Sequence, residues 1–119
     1  MPTTVIIPSY SPRPGDLEAA ISSALACEGV TQVIVVDDGS PAPISLAPDP
    51  RLNLIRQKNA GPSAARNTGL NACSDADSVI LLDHDDRLIP AGVAAMIRLA
   101  QATSAAGAVA ARIEVLDDG

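Results

Sequence analysis

Short apolar runs, each followed at once by polar or acidic residues, alternate along this chain with segments whose apolar residues recur at helical spacing. That alternation restricts the fold more than any other feature. Thr4 to Pro8, Gln32 to Val36, Leu52 to Arg56 and Ser78 to Leu82 have the length and β-branched character of strands. Between them, Asp16 to Cys27 carries Leu17, Ala20, Ile21, Ala24 and Leu25 on one helical face, with Asp16 as the expected N-cap and Gly29 just past the end. Pro62 suits the first turn of a helix running to about Cys73. Pro90 to Ala102 carries Val93, Met96, Ile97 and Ala100 on one face, and Ala108 to Leu116 reads as a fifth strand. Pro41 to Pro50 is proline-rich and predicts irregular chain with at most a distorted helical turn. Strands that alternate with helices imply an α/β fold: a three-layer, mainly parallel, Rossmann-like sheet with right-handed crossovers and helices on both faces. No repeat or interdomain linker interrupts it, so residues 1–119 are expected to form a single domain.

Composition decides what fills the core. With no Phe or Trp and one Tyr, Val, Ile, Leu and Ala must do so, and their smaller buried area predicts modest stability. A formal net charge of −6 argues against nucleic-acid binding, which depends on Lys and Arg at phosphates. It leaves room for a phosphorylated small molecule whose charge a divalent cation offsets. Cys27 and Cys73 share no ligand or redox spacing and read as buried free thiols in a reducing compartment. No signal peptide is visible, and no apolar run reaches the ~20 residues of a membrane helix. The expected location is the cytoplasm, at the inner face of the membrane if a longer parent carries membrane segments.

Chemistry-bearing residues cluster after the strands. Ser9 and Tyr10 follow the first, Asp37 and Asp38 the second, and Asp83, Asp85 and Asp86 the fourth. Ligands of open α/β sheets bind outside the carboxyl ends of the strands, near a switch in strand order. If Asp83-His84-Asp85 continues its strand, Asp83 and Asp85 face one side and His84 the other. Paired carboxylates repel unless a cation lies between them, and hard oxygen donors suit Mg²⁺ or Mn²⁺. Such an ion could stabilise a departing diphosphate. His84 is expected in a packing or surface role. One carboxylate of Asp37-Asp38-Gly39-Ser40 could accept hydrogen bonds from a base or ribose, while the other holds an Asx-turn. Tyr10 is the only ring that could stack on a base. The segment Asn59 to Asn67 opens a helix, and its N–H groups favour a nearby phosphate that Arg66 could also reach.

Four segments resemble the N-terminal half of family 2 glycosyltransferases, which have the GT-A fold. They are Val5-Ile6-Ile7-Pro8-Ser9-Tyr10, Val35-Val36-Asp37-Asp38-Gly39-Ser40, Asn59-Ala60-Gly61-Pro62-Ser63-Ala64-Ala65-Arg66-Asn67-Thr68-Gly69 and Leu81-Leu82-Asp83-His84-Asp85-Asp86. Together they extend the match over about residues 3 to 116. The resemblance implies a nucleotide-diphosphate sugar donor, usually a UDP-sugar, and transfer to a glycan, lipid or other hydroxyl acceptor with inversion. It implies a donor site of Pro8, Ser9, Tyr10, Asp38, Arg66 and Asp83, to which the strand-end and helix-entry readings add Asp37 and Gly61. The metal, Mg²⁺ or Mn²⁺, would sit on Asp83 and Asp85, with Asp85 as the last position of the family's Asp-X-Asp motif and Asp86 assisting. The family often has Asn where this chain has Ser11. Family members also continue further, through the acceptor site and the catalytic base, so no catalytic residue is identified here and little transfer by this chain alone is expected.

Two other readings remain. A nucleotidyltransferase would present a basic, glycine-rich loop after the first strand, but Ser9 to Gly15 holds only Arg13 as a basic residue. A non-catalytic binding or assembly module would use the exposed edge of the last strand to pair with a partner or a second copy.

Overall fold

A computed structural model describes residues 2–73 and 78–103. Its elements are β1 (Thr3–Ser9), α1 (Asp16–Leu25), β2 (Val30–Asp37), β3 (Leu52–Arg56), α2 (Pro62–Ala72), β4 (Ser78–Leu81) and α3 (Pro90–Thr103). The four strands form a parallel sheet in the order β3-β2-β1-β4. The chain therefore winds outward from β1 through β2 to β3, then crosses back to add β4 on the other side of β1. That reversal is the switch point beside which α/β sheets leave a crevice.

Strand alternation sends the β1 side chains to two separate cores. Val5 and Ile7 pack with Val33 and Val35 of β2 against Leu17, Ala20, Ile21 and Ala24 of α1 and Val93 of α3. Ile6 points the other way and joins Ile34, Val36 and Ala65 of α2. Helices thus cover both faces of the sheet, and β1, buried except at half-buried Pro8, has the apolar run Val5-Ile6-Ile7 that such a central strand requires. The second core is thin because α2 lies close to β1. A Cβ added at Gly69 would collide with the Ile6 side chain, so glycine in mid-helix permits the approach at some cost in helix propensity.

Three local expectations are corrected. Asp16 is the first helical residue and not the N-cap. Gly15 holds the cap position at φ 88° with no side-chain cap bond, a conformation glycine adopts without penalty. The segment from Pro41 to Pro50 contains no helical turn. Most consequentially, β4 ends at Leu81, so Asp83-His84-Asp85 does not extend the strand. The predicted strand over Ala108 to Leu116, and any edge it offers for pairing, lies outside the described residues. Both cysteines are free; Cys27 is buried and Cys73 half-buried. Burial pushes the Cys27 thiol pKa up. No described helix is long and apolar enough to cross a membrane.

Candidate functional site

The cleft opens where β1 outlasts β4. The Ile6 carbonyl accepts from the Leu82 N–H at 2.9 Å on the β4 side, and the Ser9 carbonyl accepts from the Asp38 N–H at 2.9 Å on the β2 side. By alternation, the Pro8 backbone faces β4 just beyond its end, so the N–H that proline lacks has no ladder partner to miss. The strands diverge there. Pro8, Ser9, Tyr10, Asp38, Pro62, Ala65, Arg66, Asp83, His84 and Asp85 line the resulting cavity of about 230 Å³. That is smaller than the roughly 300–1,000 Å³ of a complete ligand pocket, so the cleft encloses part of a ligand of nucleotide-sugar size.

The two aspartates at the end of β2 have separate structural tasks. Asp37 is 1% exposed. Its carboxylate accepts from the Ser40 N–H at 3.0 Å, the Ile44 N–H at 3.1 Å and the Arg56 guanidinium at 2.8 Å. It does not line the cleft; it pins the Gly39–Ile44 loop and Arg56 beneath it. Asp38 does line the cleft. One carboxylate oxygen accepts from the Gln57 side chain and the Ala60 N–H, both at 2.9 Å, and the other accepts from the Gly61 N–H at 3.0 Å. Thr68, one α2 turn below Ala65, donates to the Gln57 carbonyl oxygen and so aims the Gln57 amide at Asp38. For both aspartates burial pushes the pKa up, but the hydrogen bonds outweigh it and hold each below the usual carboxylate range.

This network alters the expected role of the α2 entry. The Ala60 and Gly61 N–H groups, expected to be free for a phosphate, are occupied by Asp38. Gly61 shapes the loop at φ 96° and does not line the cavity. Gly39 is equally constrained: its φ is 77°, and a Cβ there would come within 2.6 Å of the Asn59 nitrogen. The two loops are therefore packed backbone to backbone. Arg66 does reach the cleft, and Tyr10 lines it while 48% exposed.

On the β4 side, the chain turns after Leu82. The Asp86 N–H donates to the Asp83 carbonyl at 3.1 Å, closing a turn over Asp83-His84-Asp85-Asp86. In this turn the strand alternation that separated His84 from the aspartates no longer applies. His84 lines the cleft, and its Nδ1 is hydrogen-bonded to the Ser9 hydroxyl at 3.0 Å. Asp86 joins Asp83 and Asp85: one carboxylate oxygen from each lies within 4.8 Å of the others, and all three residues are exposed. Hard anionic oxygens converging at this spacing fit a small divalent cation that retains water or phosphate ligands.

The sequence family follows from comparison with known proteins. The model of the family "Glycosyl transferase family 2" matches residues 4–119. The chain belongs to glycosyl transferase family 2. This family 2 chain is 45% identical over 97 residues to the succinoglycan biosynthesis protein ExoW of Rhizobium meliloti (strain 1021), covering 73% of the chain and 30% of ExoW. It is 41% identical over 112 residues to ExoO of the same organism, covering 89% of the chain and 32% of ExoO. The chain thus spans about a third of the length of these relatives. Among solved structures, S. aureus TarS 1-349 superposes with a TM-score of 0.65 at 21% identity, over 86% of this chain and 33% of that one. A CMP:2-keto-3-deoxy-manno-octonic acid synthetase complexed with CTP superposes with a TM-score of 0.60 at 21% identity, over 88% of this chain and 49% of that one. Both likenesses concern the fold, and they identify it as the GT-A, Rossmann-like α/β type.

Proposed function

We propose that this chain is the donor-binding unit of a longer family 2 glycosyltransferase catalytic domain, in which further residues supply the acceptor site and catalytic base. The donor is a nucleotide-diphosphate sugar, with UDP favoured, and transfer is of the hexosyl, inverting type. The observation that carries this reading is the convergence of an exposed ring (Tyr10), a cation (Arg66) and a carboxylate turn (Asp83 to Asp86) on one cleft at the strand-order switch. The parts suit the ligand. Tyr10 offers a stacking face to a base, Asp38 a rigidly held acceptor beside it, and Arg66 a fixed charge for phosphate or ribose.

Asp83 and Asp85, with Asp86 beside them, are the residues that would hold Mg²⁺ or Mn²⁺. When bound, such an ion supplies charge stabilisation to the departing nucleoside diphosphate. The chain's own residues bind and orient the donor: Ser9 and Pro8 form the floor, and Arg66 balances the acidic wall. The relatives' role in succinoglycan biosynthesis supports a glycan as acceptor, and the reaction is assigned to the cytoplasm as part of this proposal.

Calorimetric titration of UDP, GDP and dTDP with and without Mn²⁺ tests the reading. UDP should bind in a Mn²⁺-dependent manner, and Asp85→Ala should abolish that dependence. Equal binding with and without the ion, unchanged by Asp85→Ala, would overturn the metal assignment.

A further inference from the structure

We propose that Ser9 and His84 form a positioning pair that locks the acidic turn to the end of β1; the role deepens, and rests on, the reading of that turn as a metal-dependent donor site. Three exposed carboxylates within 4.8 Å of one another repel, and the repulsion acts to open the turn that carries them. β4 cannot hold it, since the last β1–β4 ladder bond is made by Leu82. Arg66 restrains Asp83 only through a long, solvent-exposed ion pair at 3.7 Å. The Ser9–His84 bond is different in kind. Ser9 is 3% exposed on a central strand, and His84 reaches it from the middle of the turn, 75 residues along the chain. The bond ties the residue between Asp83 and Asp85 to a buried residue of the strand paired on both sides in the sheet. Preorganised carboxylates bind an ion without first paying to be ordered.

The geometry makes a specific demand on residue 84. The bonding atom is Nδ1, which asparagine reproduces with its side-chain oxygen or nitrogen. Glutamine instead places those atoms nearer the Nε2 position. His84→Asn should therefore preserve the lock and His84→Gln should lose it, although both are polar and half-exposed at this site.

The first readout needs no ligand. In the full 119-residue chain, exchange of the Asp86 amide, followed by NMR, should quicken roughly tenfold in Ser9→Ala, His84→Ala and His84→Gln but stay near the parent rate in His84→Asn. Should Ser9→Ala disturb folding, the Asn–Gln pair still decides the matter. In the second readout, Mn²⁺-dependent UDP affinity should fall roughly tenfold or more in the same variants and be retained in His84→Asn. Exchange rates that do not separate His84→Asn from His84→Gln overturn the positioning pair. Asp85→Ala keeps the two ideas apart: if it leaves UDP binding untouched, the metal reading fails, while the exchange rates still decide the role of Ser9 and His84.

Discussion

The Arg66 guanidinium lies 3.7 Å from the Asp83 carboxylate, joining the second turn of α2 to the acidic turn in the wall of one cleft. The two side chains are 38% and 61% exposed, and an ion pair this open adds little to stability. Its value lies in where it holds the guanidinium. Arg66→Ala should change unfolding free energy by less than about 0.5 kcal/mol. The same change should weaken UDP binding by roughly 10-fold or more, the loss expected for a charge-assisted hydrogen bond. Urea unfolding and calorimetry on the same sample check both halves. A large stability loss with unchanged affinity would make Arg66 a structural residue.

Asp37 and Asp38 give the fold an acid-sensitive point. Both are held below the ordinary carboxylate range in the folded chain, whereas an unfolded aspartate titrates near ~3.9. The unfolded state therefore takes up protons first as pH falls. The stability these groups contribute is complete above about pH 4–5 and fades below it, through their folded values. Asp37→Asn should cost about 1.5–3 kcal/mol at pH 7, because it breaks the Arg56 pair and turns an amide toward the Ile44 N–H. It should also flatten the fall in stability below about pH 5, where the unfolded carboxyl takes up protons before the folded one does. Parallel pH profiles for parent and variant would sink this assignment.

Gly69 sets the distance between α2 and β1. Alanine is the better helix former by about 1 kcal/mol, so helix propensity alone predicts that Gly69→Ala stabilises. The collision with Ile6, itself fully buried, predicts the reverse. Overpacking of this kind costs about 1–3 kcal/mol, so the net effect should be a lowered Tm in calorimetry. A raised Tm would show that α2 can move outward freely.

Ser11 has a φ of 44°, the only non-glycine residue with positive φ among the described residues. Its N–H donates to the Ser40 hydroxyl at 2.9 Å, which ties the loop after β1 to the loop after β2. Asparagine tolerates this backbone better than serine. Ser11→Asn should therefore raise stability by about 0.5–1 kcal/mol without changing UDP affinity. A chemical denaturation midpoint that moves the other way would mean that the serine side chain has a task of its own.

Much of this architecture was legible in the sequence because apolar periodicity and element length agree. Leu52–Arg56 forms a strand over the predicted residues, and the α1 and α2 limits differ by a residue or two, where capping geometry decides. The acidic segment departs from the expected strand for a physical reason. Four polar residues after an apolar run fit either a continuing strand or a turn, and mutual repulsion of three carboxylates favours the turn. The turn also brings His84 into the cleft; the signal for this in the sequence is a ring able to donate or accept, set between aspartates. Asp37 and Asp38 are adjacent and identical in type; only their burial and partners distinguish the loop anchor from the cleft-lining group.

β1 meets β2 between residues 27 apart in the chain, as at Thr3 and Val30, but meets β4 between residues 75 apart, as at Thr3 and Ser78. Closing the longer loop costs roughly 1 kcal/mol more chain entropy. The β1–β4 seam also has four paired positions against seven for β1–β2. It is thus expected to zip last during folding and to part first under heat or denaturant, and the acidic turn hangs from its open end. Loosening of this seam should therefore disturb the acidic turn, and any binding that depends on it, before the rest of the chain melts.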